Sequence, residues 1–163
     1  MKQVLLAAML VGASAAHATT TVAVAAFDYT DTSGEVKDQQ AVHAARLAGL
    51  QQALRDGLVK SGRFNAVNIN CAAPPCTADT MDAAALTGDA KKQGAGILVF
   101  GGVHKMSTLI QWGRLTVMDV GTGKTLLNRS LTFRGDSDDA WQHAASYMSD
   151  MVVEAAGGPA AGK

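Results

Sequence analysis

The amino-acid sequence predicts a single α/β domain in which helices pack against a mixed β-sheet. Apolar stretches of strand length alternate with longer segments of helical periodicity in the first part of the chain. This alternation is typical of parallel βαβ units with right-handed crossovers. Two strand-like stretches joined by a glycine-containing turn follow, and they extend the sheet with antiparallel strands. The predicted order is β-α-β-α-β-β-β-α.

Periodicity defines the first strand and the first helix. Thr21–Phe27 is almost continuously apolar, which indicates a strand covered on both faces. The polar segment 28–34 is predicted to be a loop at the carboxyl end of that strand. Leucines at three- and four-residue steps indicate a helix over about 37–60, and Gly62 is predicted to cap it in the left-handed conformation.

The same signals predict the remaining elements. Phe64–Ile69 is a second short strand, and a second helix is expected over about 81–93 with Asp79 or Thr80 as its N-cap. Later strands are predicted from Ile97 onward, over about 109–120 and over about 126–134. A last helix starts within 136–139 and buries Trp141, Ala145, Met148 and Val152.

Residues 1–18 have the features of a cleavable secretory signal. A positively charged start is followed by the uncharged apolar stretch Val4–Ala13, and Ala16 and Ala18 are the small residues that a signal peptidase requires. The apolar stretch is shorter than the roughly 20 residues that span a bilayer. No cysteine lies at the cleavage site. We therefore expect a periplasmic protein with no membrane span and no lipid anchor.

Length and composition indicate how many domains the mature chain has and which partners its charge disfavours. The mature chain is expected to contain one domain over 19–155 and a disordered, glycine-rich tail over 156–163. The whole chain has 14 basic and 14 acidic residues, so removal of Lys2 with the signal leaves 13 basic against 14 acidic residues. Because nucleic-acid binding depends on neutralising phosphates, this balance argues against a nucleic-acid partner.

Cys71 and Cys76 are the only cysteines. In an oxidising compartment two cysteines this close together favour a structural disulfide. A metal site would need about four ligands, and no His, Asp or Glu lies within two residues of either cysteine. A redox or metal role is the less favoured interpretation.

The sequence contains no well-matched motif for catalysis, nucleotide binding or metal binding. Gly121–Thr125 contains G-K-T, but Met118 stands where a phosphate-binding loop requires glycine, so a hairpin turn is favoured. His43, His104 and His143 form no metal-binding pair and are expected to be ordinary or solvent-facing. We therefore predict no catalytic residues, no metal site and no cofactor.

One polar cluster is a candidate binding site. Strand ends beside a helix start place polar groups where they can meet a ligand or partner. The candidate residues are Lys105, Ser107, Arg134, Asp136, Asp138 and Trp141. In the alternative interpretation the acids cap the last helix, Arg134 pairs with them, and Trp141 fills the core.

Two of these segments resemble a known family. His104–Ile110 (H-K-M-S-T-L-I) and Arg134–Trp141 (R-G-D-S-D-D-A-W) resemble motifs of the exported bacterial family named domain of unknown function 3280 or 2380. The C-x4-C spacing of the cysteines departs from the C-x2-C expected there, which puts a shared ligand role in doubt. The V-A-V-A-A-F, S-G-R-F and D-V-G-T-G-K segments are also similar in layout to the TolB N-terminal domain of the Tol-Pal system.

The resemblance implies protein–protein contact in the bacterial envelope. We predict a non-catalytic periplasmic accessory domain that binds another envelope protein. The alternative is a periplasmic protein that binds a small solute or a metal, and a hydrolytic enzyme is the third interpretation. Fold analogy by itself is a weak argument for any of these functions.

The signal prediction is tested on protein isolated from an envelope fraction. Because the peptidase is expected to cut after Ala18, intact-mass measurement should give a chain that begins at Thr19. A chain that retains Met1 in the cytoplasmic fraction would contradict export.

Overall fold

The computed structural model describes residues 19–72 and 74–157. The predicted signal and residues 158–163 of the predicted tail lie outside the described residues. The described part contains these elements: β1 Thr20–Val24, β2 Asp28–Asp31, α1 Gln40–Lys60, β3 Phe64–Asn68, α2 Ala83–Lys92, β4 Ile97–Lys105, β5 Ile110–Asp119, β6 Thr125–Arg134 and α3 Asp138–Ala156. No helix in these two ranges is long and apolar enough to cross a bilayer.

The strands form one mixed sheet, as predicted. Its order is β3-β1-β4-β5-β6, and β2 pairs with β4 beyond the end of β1. The β1–β3, β1–β4 and β2–β4 pairs are parallel. The β4–β5 and β5–β6 pairs are antiparallel. In the described chain β3 and β6 are therefore the edges of the main path.

The first strand is shorter than the sequence indicates. The predicted strand Thr21–Phe27 ends at Val24, and the segment predicted as a polar loop forms β2. Other parts of the domain satisfy the backbone at the break: Ala26 N donates to Cys76 O at 3.0 Å, and Phe27 N donates to Gln51 Oε1 at 3.2 Å. Because these partners lie far away in sequence, local periodicity could not reveal the break.

Helices cover the sheet unequally. The larger core lies between the sheet and the pair α1–α3, and the smaller one lies between the sheet and α2. Leu50, Leu54 and Leu58 of α1 are fully buried. Each such side chain contributes on the order of 1.5–3 kcal/mol by burial. The residues predicted for the buried side of the last helix are also buried: Trp141, Ala145, Met148 and Val152.

The two helices of the larger core approach closely at Gly57. A Cβ at this position would collide with the side chain of Ser149 on α3. Only a residue without a side chain allows this spacing, so Gly57 sets the contact between α1 and α3. Gly62 has φ 72°, which confirms the predicted left-handed residue after α1.

Helix and hairpin ends were predicted in part. Ser137 caps α3 by accepting from Ala140 N at 3.3 Å, and it lies within the segment 136–139 in which the last helix is predicted to start. The expected cap of α2 is wrong: Asp82, not Asp79 or Thr80, accepts from Ala85 N at 2.7 Å. The Gly121–Lys124 segment is a hairpin turn, as predicted, and joins β5 to β6.

The predicted disulfide is present between Cys71 and Cys76. It closes the loop that leads from β3 towards α2. So short a loop stabilises the fold by about 2 kcal/mol at most in the chain-entropy model. Cys76 also supplies the carbonyl that accepts from Ala26 N, so the bridged loop holds the break between β1 and β2.

Candidate functional site

A buried charge cluster lies at the carboxyl ends of β2 and β4. Lys105, the last residue of β4, is fully buried on the face of the sheet that α1 and α3 cover. Its Nζ donates to Asp136 Oδ2 at 2.8 Å and also to the carboxylate of Glu35. These contacts join the end of a central strand to the loop before α1 and to the segment that enters α3.

Asp136 is the centre of this charge cluster. Its Oδ2 also lies 2.8 Å from Nε2 of His43, whose side chain is 1% exposed. Its Oδ1 accepts from Arg46 Nη1 at 2.7 Å, and Arg46 Nε reaches Asp138 Oδ1 at 2.9 Å. We call the six residues joined by these contacts the charge cluster: Glu35, Lys105, His43, Arg46, Asp136 and Asp138. A single carboxylate thus bonds groups from β4 and α1.

Aromatic rings pack beside the charge cluster. Tyr29 stacks on His43 with ring centroids 5.2 Å apart and planes 24° apart. Trp141 is 1% exposed, and its ring centroid lies 6.3 Å from that of His43. Trp141 and Phe133 form a T-shaped pair with ring centroids 5.8 Å apart. The low-dielectric surroundings strengthen the ion pairs and make an unpaired charge there costly.

For Asp136 and Lys105, the ion pairs and hydrogen bonds together shift the pKa more than burial does. Burial alone would raise the pKa of Asp136, but hydrogen bonds from Lys105 and His43 lower it to about 2. Burial would likewise lower the pKa of Lys105, and its bonds to Asp136 and Glu35 raise it instead. Burial, followed by the nearby charge of Asp31, raises the pKa of Tyr29. Asp136 and Lys105 are therefore ionised near neutral pH.

The six candidate binding residues lie in different surroundings in the structure. It brings Lys105, Asp136 and Asp138 together in the charge cluster and places Trp141 in the core beside it. Ser107 lies in the β4–β5 turn, where its Oγ accepts from Leu109 N and Ile110 N. Arg134 is exposed at the end of β6, opposite Ile110.

Sequence reasoning missed three members of the charge cluster: Glu35, His43 and Arg46. His43 is buried and bonded, so the expectation of an ordinary or solvent-facing histidine does not describe its surroundings. One signal was available, because His43 and Arg46 are three residues apart and therefore share a face of α1. Nothing local, however, indicates that this face meets Asp136, which lies 93 residues after His43.

The charge cluster fits a structural role. Its cations and carboxylates are paired with one another, and Trp141 closes it on the core side. In the described ranges no group of three or more His, Cys, Asp or Glu residues could hold a metal ion. What this arrangement can do is fix the relative positions of β4, α1 and the start of α3.

Grooves that are open to solvent lie on both faces of the described sheet. One lies between β6 and α3, encloses about 680 Å³ and is lined by residues that include Leu126, Leu131, Tyr147 and Met151. The other lies on the opposite face of the sheet, encloses about 410 Å³ and is lined by residues that include Asp28, Trp112 and Arg114. Both are large enough to hold a side chain or a small ligand.

The fold is shared with solved structures at low sequence identity. TolB from Acinetobacter baumannii matches with a TM-score of 0.58 and 19% identity, over 87% of this chain and 29% of the TolB chain. This chain therefore spans less than a third of TolB. A DUF330 protein from Xanthomonas campestris matches with a TM-score of 0.55 and 8% identity, over 86% of this chain and 87% of that chain.

A third match is PelC from Paraburkholderia phytofirmans, a dodecamer, with a TM-score of 0.51 and 14% identity over 83% of this chain and 85% of that chain. At these identities the matches establish a fold class, a TolB-like α/β domain with a mixed sheet. None of the curated proteins has a sequence that matches this chain.

The chain belongs to the DUF3280 family, described as "Protein of unknown function (DUF2380)", whose model matches residues 20–152. This confirms the family that the Lys105 and Arg134 segments resemble. The match covers every strand of the described fold and most of α3.

Removing the central cation should destabilise the fold. Lys105→Met leaves Asp136 and Glu35 without their buried partner, so we expect a loss of about 3–5 kcal/mol in the free energy of unfolding. Urea denaturation checks this, with Lys124→Met in the exposed hairpin turn as the matched control. Equal stability of the two variants would show that the charge cluster is not structural.

Acid should weaken the fold through Asp136. Its folded pKa of about 2 lies below the ordinary value of 3.8. Its contribution is therefore complete above about pH 4 and is lost as the pH falls through 2, amounting to about 2 kcal/mol. Unfolding free energies measured between pH 2 and pH 5 should show this loss. Asp136→Asn should flatten the slope, whereas Asp139→Asn, an exposed change in the same segment, should keep it.

Proposed function

We propose that this protein is a non-catalytic periplasmic accessory domain that binds another envelope protein through β6 and α3. The observation that carries the proposal is the free edge of β6 beside an open groove. β6 is ten residues long and lies at the end of the main strand path. An edge strand presents unpaired backbone groups that an extended segment of a partner can complete.

The side chains beside this edge suit a protein partner. Tyr147 of α3 is 59% exposed, and it lines both the large groove and a smaller one of about 310 Å³ that continues towards Arg134. Leu131 also lines both grooves. An exposed tyrosine beside apolar side chains, with an arginine nearby, is the composition that protein interfaces favour. The candidate residue Arg134 thus keeps a contact role in this proposal.

The envelope location rests on two further supports. Residues 1–18 have the pattern of an export signal. The Cys71–Cys76 disulfide fits an oxidising compartment, because such bonds are rarely kept in the cytosol. The partner is therefore a protein of the same compartment.

Site-specific photo-crosslinking in the producing bacterium tests this proposal. A benzoylphenylalanine at Tyr147 should form an adduct with one exported protein, because its ring lies in the proposed contact surface. The matched control is Val59 of α1, which is 51% exposed and lies outside both grooves. Arg134→Ala should weaken the Tyr147 adduct while it changes the free energy of unfolding by less than about 1 kcal/mol.

Two outcomes would contradict the proposal. One is an adduct of equal yield from both positions, which indicates random collision. The other is the absence of any adduct from Tyr147 in cells where the protein is exported.

A further inference from the structure

The groove on the other face of the sheet is a second candidate site, and it does not involve β6–α3 contacts. Helix α2 packs on the β1 side of this face, where its core contacts include Ala23, Ala25 and Leu98. Farther along the same face Trp112 is 50% exposed and Arg114 is exposed. The turn that carries Asp79 forms one wall of the groove, and β2, β4 and β5 form its floor.

Strand register aligns an acid and a base across this groove. Asp28 of β2 is paired with Gly102 of β4, Gly102 with Arg114 of β5, and Arg114 with Ser130 of β6. These four residues form one row across the sheet. Because neighbouring strands lie about 4.8 Å apart, the Cα atoms of Asp28 and Arg114 are about 10 Å apart with the glycine between them.

The glycine keeps the middle of the row open. A Cβ on Gly102 would come within 3.0 Å of Asp28 O and 3.1 Å of Asp28 Cβ. The next row along the strands places His104 beside Trp112, whose exposed ring adds an apolar wall. The groove therefore has charged ends, an open floor and an aromatic side.

Asp28 and Arg114 form no direct ion pair, although burial raises the pKa of Asp28 and the charge of Arg114 lowers it in part. In the part of the chain that the structure describes, Asp28 Oδ2 is buried and has no hydrogen-bond partner. Its other oxygen, Oδ1, accepts from Asp79 N at 3.4 Å. Arg114 makes no ion pair within 4.0 Å of a carboxylate among the described residues. The Thr77 side chain lies close enough to lower the pKa of Asp28, so this carboxylate has a donor within the chain. The exposed guanidinium of Arg114, in contrast, can bind a carboxylate from solution.

We propose that the row Asp28–Gly102–Arg114 binds a small zwitterion, with its ammonium at Asp28 and its carboxylate at Arg114. A free α-amino acid and a dipeptide with both ends free share this chemistry. An ammonium would pair with the negative charge of the Asp28 carboxylate, and a carboxylate matches the planar fork of a guanidinium. The side chain of the ligand would lie against Trp112. The volume of about 410 Å³ lies within the range of small-molecule sites.

Calorimetric titration of the purified full chain tests this site. The probes are the standard amino acids, D-alanine and the dipeptide Ala-Ala, with ethylamine and propionate as ligands that carry only one of the two charges. At least one zwitterion should bind, and the single-charge ligands should bind at least about tenfold more weakly. Tighter binding of Ala-Ala than of any amino acid identifies a peptide source, and the reverse identifies a free amino acid; either result supports the site.

Single substitutions test whether the zwitterion binds at the Asp28–Gly102–Arg114 row. Asp28→Asn and Arg114→Gln should each weaken binding by about tenfold or more, and Gly102→Ala should weaken it by crowding Asp28. Arg129→Gln is the matched control, because Arg129 lies on the same antiparallel strand pair but on the other face of the sheet. Since Arg114 is exposed, its variant keeps the test valid if Asp28→Asn folds poorly.

The proposal is overturned if no zwitterion binds at millimolar concentration. It is also overturned if Arg114→Gln binds as tightly as the unchanged chain, or if ethylamine binds as tightly as the best zwitterion. A failed crosslink at Tyr147 would leave this result unaffected, because the two surfaces lie on different sides of the domain.

Discussion

The carboxylate of Asp136 accepts bonds from Lys105, His43 and Arg46, and the rest of the domain depends on this point of convergence. Lys105 ends the central strand β4, His43 and Arg46 lie on the first turns of α1, and Asp136 precedes α3. Each buried charge loses its hydration and regains that energy only when its partners are in place. The three segments must therefore meet in one arrangement, which fixes where both long helices lie on the sheet.

The two open surfaces follow from that arrangement. On the covered face, the position of α3 beside β6 defines the groove that Tyr147 lines. Successive side chains of a strand point to opposite faces of the sheet. The strand pairing that directs Lys105 of β4 to the covered face therefore directs Gly102 and His104 to the open face. The buried charge cluster and the Asp28–Arg114 row thus depend on one strand register. A shift of one residue would destroy both.

The similarity to TolB and PelC structures concerns the scaffold. A fold of this kind leaves sheet edges and an incompletely covered sheet face, and function resides in the side chains placed there. In this chain we propose that the exposed Tyr147 and the charged residues of the Asp28–Gly102–Arg114 row are such side chains. The two proposals above rest on them.

The sequence by itself determined the α/β class, the order of the major elements, the disulfide and the hairpin turn, because periodicity, cysteine spacing and turn residues act over a few positions. It also singled out Lys105, Asp136 and Asp138, although it did not show that His43 and Arg46 would bind Asp136. Only the tertiary structure decided that pairing, the break before β2 and the Asp28–Arg114 row. Each of these joins residues that are tens of positions apart, and their meeting depends on strand register and helix packing, which no local pattern encodes.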